Sequence, residues 1–290
     1  MPLRYDTITF LSDYGLVDEF VGVVHSVIRS IAPDAAVVDL THGITPYDVR
    51  GGGLALARSV EHLCPGVVLA VVDPAVGTSR RPIAVEVGDG ASVLVGPDNG
   101  VLAPAVALCG GATRAVEITN PAYVLATEAA TFDGRDVFAP VAAHLCNGVT
   151  LDELGSPIDP LSLLPGLLPV AREEGDTLVV EVLWVDRFGN CQLNVDADDI
   201  AGFGDRIEFR IDGRRRTAAI VSSFSQVGVG DVALLADANG LMALVANQSS
   251  AADELSIGSG DQVILAEATA AGGMATAVTL GRRDGNGGAP

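Results

Sequence analysis

The sequence predicts an α/β domain followed by a smaller all-β domain, and three observations lead to that prediction. Over residues 1–150, short apolar runs rich in β-branched residues alternate with segments of helical periodicity. The run 67–72 is apolar without alternation, as expected of a parallel strand buried on both faces. From residue 177 onward the runs shorten, helical periodicity disappears, and Gly and Asp turns separate the runs.

The first domain, residues 1–165, is predicted to be a central, mostly parallel sheet with flanking helices. Asp18-Glu19 opens its first helix, and Pro33 terminates that helix because proline cannot continue a helical backbone. The predicted strands cover residues 8–12, 35–40, 67–72, 82–87, 92–95 and 113–118. The other predicted helices cover residues 49–63, 99–108 and 135–146.

A change of composition separates the two domains. Residues 151–176 are rich in proline and leucine, which predicts a segment wrapping over the first domain and ending in a linker at 166–176. The second domain, residues 177–270, is predicted to be a small antiparallel barrel or sandwich. Its predicted strands cover residues 178–185, 191–195, 207–211, 217–220, 231–235, 241–246 and 262–266. Residues 271–290 are glycine-rich and are predicted to be a disordered tail.

Charge and hydropathy exclude several classes of partner. A net charge of −20 opposes binding to nucleic acid or to an anionic membrane. Apolar runs are too short to span a bilayer, and the N-terminus lacks a signal-peptide pattern. We therefore expect a cytoplasmic protein with a small-molecule ligand.

Cysteines and histidines show no metal-binding spacing. The four cysteines lie in apolar or strand contexts and are predicted to be buried thiols: Cys64, Cys109, Cys146 and Cys191. The four histidines form no motif with them: His25, His42, His62 and His144. We therefore expect neither a structural zinc nor another metal.

The end of the central strand is the first candidate site. Residue 72 is followed by Asp73, a Pro-Ala-Val-Gly turn, and then Arg80 and Arg81. Ligands of open α/β sheets bind beyond the carboxyl ends of strands, where Asp73 lies. Two more predicted strands lead into polar loops, at residues 13–15 and 41–48, and we expect these loops at the same sheet edge. An ordinary turn aspartate with two surface arginines is the alternative interpretation.

Six blocks occur in a characteristic order and together carry a family resemblance. They are FLSDYG (10–15), TPYDV (45–49), VDPAVGTSRR (72–81), GPDNG (96–100), TFDGRD (131–136) and VDRFGN (185–190). The set resembles the S-adenosyl-L-methionine (SAM) hydroxide adenosyltransferase family, which is similar to the fluorinase and chlorinase enzymes. The resemblance covers roughly residues 5–266.

The resemblance implies three catalytic residues. Asp73 stands where the halogenases have a tyrosine that lines their halide pocket, whereas the hydroxide-using relatives have an aspartate there, with an arginine at the position of Arg80. Those relatives carry a histidine where this chain has Asp133. The sequence leaves open whether Asp133 is a poorer base than histidine or acts with Asp73 and Arg80 as an adapted unit.

The resemblance also implies a set of substrate-binding residues. In the first domain, Asp13 is expected on the ribose hydroxyls, Tyr47 against the nucleoside, and Asp18 beside them. A helix-entry staple is the alternative for Tyr47. In the second domain, the expected ligands are Asp186 for the methionine ammonium, Phe188 for adenine and Asn190 for a polar edge, followed by Asn239, Asn247 and Gln248 in the later part of the pocket. A simple hairpin turn is the alternative for 186–190.

The expected function is hydrolysis of SAM to adenosine and L-methionine by attack of water or hydroxide at C5′, with SAM as substrate and no cofactor. Two alternatives stay open: halogenase-like adenosyl transfer, and an adenosyl-ligand binding protein with impaired chemistry. The resemblance further implies a homotrimer with sites between subunits, in which Asp13, Tyr47 and Asp73 of one subunit face residues 186–190 of its neighbour.

Overall fold

The computed structural model describes residues 4–127 and 130–268. The chain divides into two compact units, Met1–Pro169 and Val170–Pro290. Strands and helices alternate in the first unit, whereas strands dominate the described part of the second. The predicted disordered tail, 271–290, lies outside the described residues. Among the described residues, no helix is long and apolar enough to cross a membrane.

The described strands of the first unit form one seven-stranded sheet in the order β2-β1-β3-β5-β4-β6-β7. The strands are β1 Thr7–Ser12, β2 Ala36–Thr41, β3 Val67–Val71, β4 Pro82–Val87, β5 Ser92–Pro97, β6 Arg114–Ile118 and β7 Gly155–Ile158. Neighbours among the first four strands of this order pair in parallel, and the remaining pairs are antiparallel. The parallel half, with the fully buried β3 at its centre, is the half that carries the candidate site.

Helices cover both faces of this sheet. They are α1 Phe20–Ile31, α2 Val49–Ser59, α3 Ala103–Leu108, α4 Ala139–Cys146 and α5 Leu151–Leu154. Because successive strand residues point to opposite faces, Phe10 joins the core under α1 and α4, whereas Leu11 joins the core under α2 and α3. A π-helical turn, Gly134–Phe138, leads directly into α4, where the sequence predicted one continuous helix.

The stretch predicted to wrap over the first domain contains regular structure instead. α5 and β7 follow α4, and β7 pairs with β6 at the edge of the sheet. An edge strand tolerates Pro157, because one side of that strand needs no ladder hydrogen bonds. The predicted linker 166–176 likewise contains a short strand, β8 Arg172–Glu174. Neither strand shows the apolar pattern that would have revealed it.

The described strands of the second unit form an eight-stranded sheet in the order β10-β14-β13-β12-β11-β15-β9-β8. Besides β8, they are β9 Thr177–Val185, β10 Cys191–Asp196, β11 Arg206–Ile211, β12 Arg214–Ile220, β13 Val232–Ala236, β14 Leu241–Ala246 and β15 Gln262–Glu267. An additional pairing joins β10, the first strand of this order, to β9, the last but one, and closes these strands into a barrel-like sheet with β8 at its edge. A short helix, α6 Ala251–Leu255, was not predicted; Ser250 caps it by accepting a hydrogen bond from the Asp253 N–H.

The prediction of four buried thiols was wrong for two of them. Cys146 and Cys191 are buried, whereas Cys109 is half-buried and Cys64 is exposed. Cys64 lies in the turn before β3 and Cys109 follows α3 directly, so neither occupies the interior of an element. All four are free cysteines.

Candidate active site

The carboxyl ends of β1, β2 and β3 meet at one edge of the first unit because these three strands are adjacent and parallel. A pocket of about 340 Å³ lies there. Asp13, Tyr47, Asp73 and Asp133 contribute to its lining, each from a different loop. The structure therefore brings these four predicted residues together at the edge where an α/β sheet binds ligands.

Asp73, Arg80 and Asp133 form a buried ionic cluster beside this pocket. Arg80 Nε donates to Asp73 Oδ1 at 3.2 Å, and Arg80 Nη2 donates to Asp73 Oδ2. The same Nη2 lies 2.5 Å from Asp133 Oδ2. The side chains of Arg80 and Asp73 are each 6% exposed, and that of Asp133 is 17% exposed. One guanidinium thus holds two carboxylates that are 60 residues apart in the sequence, which is the difference between positions 133 and 73.

The chain between Asp73 and Arg80 makes this geometry possible. Val76 N–H donates to Asp73 O, and the Thr78 hydroxyl donates to Ala75 O and accepts from Arg80 N–H. Gly77 has φ +77°, and a Cβ there would lie 2.6 Å from Ala130 O. Only glycine fits that conformation and that close approach without strain.

The Arg80 guanidinium also packs over the fully buried ring of Phe138, with the guanidinium carbon 5.3 Å from the ring centroid. Phe138 ends the π-helical turn that begins next to Asp133. The aromatic face orients the guanidinium and favours its positive charge. Position 138 therefore belongs to the structure of the site, although no role was predicted for it from the sequence.

Burial raises the pKa of the Asp73 carboxyl, because the charged form loses its hydration. The neighbouring Asp133 acts in the same direction, and the Arg80 charge opposes both. A carboxylate of raised pKa is a stronger base than an ordinary surface aspartate. Asp73 can therefore accept a proton from a polarised water, which the alternative of a surface turn aspartate would not predict.

Tyr14 is a pocket residue to which the sequence assigned no function. Burial raises the pKa of its phenol far above the usual range, and the charges of Asp13, Asp73 and Asp133 add to that effect. The hydroxyl is therefore a neutral hydrogen-bond donor at the floor of the site. A Cβ at Gly134 would lie 2.1 Å from the Tyr14 hydroxyl oxygen, which accounts for glycine at that position. Its place in the FLSDYG block was the available signal.

An aromatic wall completes the pocket. Ring centroids lie 5.8 Å apart for Tyr14 and Phe20, 5.6 Å for Tyr14 and Phe132, and 5.1 Å for Phe20 and Phe132. All three residues line the pocket. Such a wall offers edges and faces to a flat, apolar ligand surface.

Asp13 and Tyr47 are joined by the Tyr47 N–H, which donates to Asp13 Oδ2 at 2.8 Å. Tyr47 has φ +71° and is 74% exposed, so its ring does not form the buried staple considered as the alternative. Asp48 instead caps α2 by accepting from the Gly51 N–H. Asp18 is exposed and does not contribute to the pocket lining.

Arg81 and the GPDNG block form hydrogen bonds that hold the chain segments next to the site. Arg81 donates to Asp98 Oδ2 and to Ser162 O, and Asp98 Oδ1 accepts from Leu164 N–H. Asn99 Nδ2 donates to Val72 O at 2.8 Å, which fixes the end of the segment before Asp73. Arg81 and Asp98 therefore hold the segment around Ser162 in place. Arg80, and not Arg81, contacts the carboxylates of Asp73 and Asp133.

The predicted residues of the second unit form a self-contained turn. Asp186 Oδ1 accepts hydrogen bonds at 2.8 Å from the backbone N–H groups of Phe188 and Asn190, and Oδ2 accepts from Asn190 Nδ2 at 2.7 Å. Gly189 has φ +83° and packs against Ser250, where a Cβ would lie 2.1 Å from Oγ. Phe188 is left 77% exposed at the tip. The hairpin-turn interpretation is thus correct as a description of the local geometry, and the turn presents one free aromatic ring.

Asn247 and Gln248 follow β14 directly, close in sequence to Ser250 and hence to this turn. Asn247 Nδ2 donates to Val227 O, and Gln248 has φ +59°. Asn239 lies in the turn that precedes β14, so it is at the opposite end of that strand. Within the second unit, the structure therefore groups Asn247 and Gln248 with residues 186–190 but not Asn239.

Comparisons with known proteins give matches to both units of the chain. The family model described as SAM hydroxide adenosyltransferase N-terminal domain matches residues 8–155, and that described as the C-terminal domain matches residues 180–264. An (R)-S-adenosyl-L-methionine hydrolase of Salinispora tropica is 43% identical over 88% of this chain and 96% of its own length. A fluorinase of an Actinoplanes species is 26% identical over 90% of this chain and 97% of its own length. A crystal structure of an uncharacterized conserved protein from Thermotoga maritima superposes with a TM-score of 0.83 at 34% identity, covering 89% of this chain and 99% of that one.

Proposed function

The chain belongs to the SAM hydroxide adenosyltransferase family, and we propose that it hydrolyses S-adenosyl-L-methionine to adenosine and L-methionine. The buried cluster of Asp73, Arg80 and Asp133 at the edge of the pocket is the observation that carries the proposal. It supplies a carboxylate base of raised pKa in a site where a ligand can exclude bulk water.

The chemistry needs few groups, because the sulfonium of SAM is already an activated leaving group. A water molecule attacks C5′ in line with the C5′–S bond, the new C5′–O bond forms, and the electron pair of the C5′–S bond passes to sulfur. The proton of the water goes to Asp73. Adenosine and the neutral thioether of L-methionine are the products, and neither a metal nor a cofactor takes part in this scheme.

The charge balance of the cluster favours this reaction over halide transfer. Two carboxylates and one guanidinium leave one negative charge beside the pocket, which attracts a sulfonium cation and repels a halide ion. Arg80 holds both carboxylates through the same Nη2, so Asp133 stays paired with the guanidinium when Asp73 receives the proton. The similarity to a fluorinase therefore concerns the scaffold, and the nucleophile of this chain is water.

Substrate recognition is proposed for the loops around the pocket. Asp13 takes the ribose hydroxyls, since a carboxylate accepts two adjacent hydroxyls well, and the exposed ring of Tyr47 packs against the nucleoside. In the second unit, Asp186, Phe188, Asn190, Asn247 and Gln248 take the adenine and methionine ends. Asp18 and Asn239 stay candidates for substrate binding, although Asp18 does not line the pocket and Asn239 lies away from the turn 186–190.

Assembly as a homotrimer is part of the proposal. Tyr47 and Phe188 are 74% and 77% exposed, and Leu16 and Val17 beside the first site are 79% and 98% exposed. Large exposed apolar residues at ligand-binding loops are typical of surfaces that a partner or a ligand covers. We propose that the first unit of one subunit meets the second unit of its neighbour there.

The four free cysteines suit the reducing cytoplasm, which is the proposed location.

Product analysis tests the reaction. The tag-free protein is incubated with SAM in ¹⁸O-labelled water, with and without chloride or fluoride, and the products are separated by chromatography with mass detection. We expect L-methionine and adenosine carrying ¹⁸O at the 5′ position, at a rate independent of halide. A 5′-halo nucleoside, or unchanged SAM bound to the protein, would contradict the proposal.

Mixed assemblies test the shared site. Light scattering is expected to give a trimer. Co-expressed Asp73→Asn and Phe188→Ala subunits are expected to form some sites that turn over with the wild-type KM. Neither variant alone forms such sites, because Asp73→Asn lacks turnover and Phe188→Ala has a raised KM. An active monomer at working concentration would overturn the shared site but leave the proposed reaction intact.

A further inference from the structure

Three potential metal ligands come together beside β2, outside the pocket lining. His25 projects from α1, Asp39 lies on β2, and His42 follows that strand. His25 Nε2 lies 2.8 Å and His42 Nε2 lies 3.0 Å from the same atom, Asp39 Oδ1. One ligand atom from each residue falls within 4.8 Å of the others. The sequence did not predict this cluster, because the three residues follow no local spacing motif.

The orientation of His42 points to a ligand rather than to a hydrogen-bond network alone. Its side chain is 3% exposed, and within the described part of the chain its Nε2 has no partner in hydrogen-bonding geometry, despite the short distance to Asp39. Its other ring nitrogen, Nδ1, lies 2.8 Å from the Ser12 hydroxyl oxygen. When Nδ1–H donates to Ser12, Nε2 presents its lone pair to the cluster. Histidines that bind metals commonly donate their second ring nitrogen in this way.

We propose that His25, Asp39 and His42 bind a divalent transition-metal ion, with Zn²⁺ as the best fit. Two imidazoles and one carboxylate are a donor set that suits Zn²⁺, whereas Mg²⁺ prefers oxygen ligands alone. Zinc–ligand bonds of about 2.0–2.2 Å separate tetrahedral donor atoms by about 3.3 Å. The two donor pairs at 2.8 and 3.0 Å therefore need to open by a few tenths of an ångström. The two imidazole nitrogens, which lie within 4.8 Å of each other, need to approach by up to about 1.5 Å, a movement that the exposed His25 side chain can make.

Ion access and a fourth ligand are available from solvent. The side chains of His25 and Asp39 are 34% and 43% exposed, so water reaches the open side of the cluster. Behind it, the ring of Phe10 packs on both imidazoles, with centroid distances of 4.6 Å to His42 and 6.2 Å to His25. A buried wall and a wet opening are the arrangement of a three-ligand zinc site completed by water. The net charge of −20 favours any cation.

A bound ion would hold the loop that carries Asp13 and Tyr14. Ser12 Oγ accepts from the Tyr14 N–H at 3.3 Å, and His42 O accepts from the Gly15 N–H at 2.8 Å. Fixing His42 therefore fixes both hydrogen bonds of that loop. The site is positioning rather than catalytic, and it stands independently of the reaction proposed above.

Calorimetric titration with ZnCl₂ tests the site in the tag-free full chain. We expect one Zn²⁺ per chain, binding at least tenfold more weakly in His25→Ala and in Asp39→Asn. His62→Ala is the matched control, because His62 is exposed and lies two positions from the exposed Cys64, which makes this pair the surface alternative to be tested. His62→Ala should bind Zn²⁺ with unchanged affinity. Stoichiometric binding should also raise Tm in the wild type but not in His25→Ala, and Mg²⁺ should not replace Zn²⁺.

Two results would overturn the site. One is the absence of stoichiometric Zn²⁺ binding to the wild type. The other is binding that His62→Ala abolishes and His25→Ala leaves unchanged. Substitution with Co²⁺ distinguishes the two possible sites by absorption spectroscopy, because a thiolate charge-transfer band would assign the ion to Cys64.

Discussion

The two proposed site aspartates that follow β3 and β9, one catalytic and one substrate-binding, have opposite surroundings. Asp73 is 6% exposed and contacts Arg80, which in turn holds Asp133 from a distant loop. Asp186 makes all three of its described side-chain hydrogen bonds within four residues, to the turn 186–190. The first carboxylate depends on the tertiary fold, whereas the second organises its own loop.

This difference in surroundings suits the first carboxylate to catalysis and the second to substrate binding. A carboxylate in a buried ionic cluster acquires a raised pKa, because burial and a like charge outweigh the guanidinium. A carboxylate that organises a turn has its charge spread over three donors and instead positions a neighbour, here the exposed ring of Phe188. We therefore expect substitutions in the first region to lower kcat, and substitutions in the second region to raise KM.

The largest expected effect is that of Asp73→Asn. An amide cannot accept the proton of the attacking water, so kcat should fall by about 10²–10⁴-fold, while the Kd for SAM stays within a few-fold. Asp186→Asn is the matched substitution in the other region and should raise KM while kcat falls far less. Single-turnover kinetics and equilibrium binding separate the two effects. Normal hydrolysis by Asp73→Asn would remove this carboxylate from the mechanism.

Arg80 and Arg81 give the next test, because they are adjacent in sequence but have different partners. Arg80→Ala removes the charge that lowers the pKa of Asp73, so that pKa should rise further. Since the ionised carboxylate is the active form, the acid limb of the pH–rate profile should move to higher pH, and kcat should fall roughly tenfold to a hundredfold. Arg81→Ala breaks the contact with Asp98 and should lower Tm without moving the acid limb. An unmoved acid limb in Arg80→Ala would show that the guanidinium does not control the base.

Asp133 tests whether the cluster is one adapted unit. Asp133→Asn removes a like charge, so the pKa of Asp73 should fall and the acid limb should move to lower pH, opposite to the effect of Arg80→Ala. Asp133→His places an imidazole against the guanidinium, and activity should fall roughly tenfold, or about 1.4 kcal/mol of transition-state stabilisation. A gain in kcat near neutral pH would instead identify Asp133 as a poor substitute for the histidine of relatives.

Much of the fold was predictable because it depends on local pattern. The apolar run ending at Asp73 predicted the buried central strand, and the six sequence blocks predicted the family that the domain matches confirm. β7 was missed because an edge strand with Pro157 needs no apolar alternation, and α6 because five residues carry too little periodicity. The contact between Asp133 and Arg80 was invisible for another reason, since it depends on how the π-helical turn approaches the loop after β3.

The smallest expected effect is in the second region, at Phe188. If its ring packs on the adenine, Phe188→Ala should lose one aromatic contact of about 0.5–1.5 kcal/mol, which corresponds to a roughly 2- to 12-fold rise in KM with kcat unchanged. Phe224→Ala is the control, because Phe224 is also an exposed aromatic residue of this unit, at 45%, but lies outside the turn. A fall in kcat for Phe188→Ala without a change in KM would break the division between the two regions, because a recognition loop would then act in the chemical step. If both KM and kcat are unchanged, the exposed Phe188 ring has a role only in trimer assembly. Light scattering of the same variant would then show a weakened trimer.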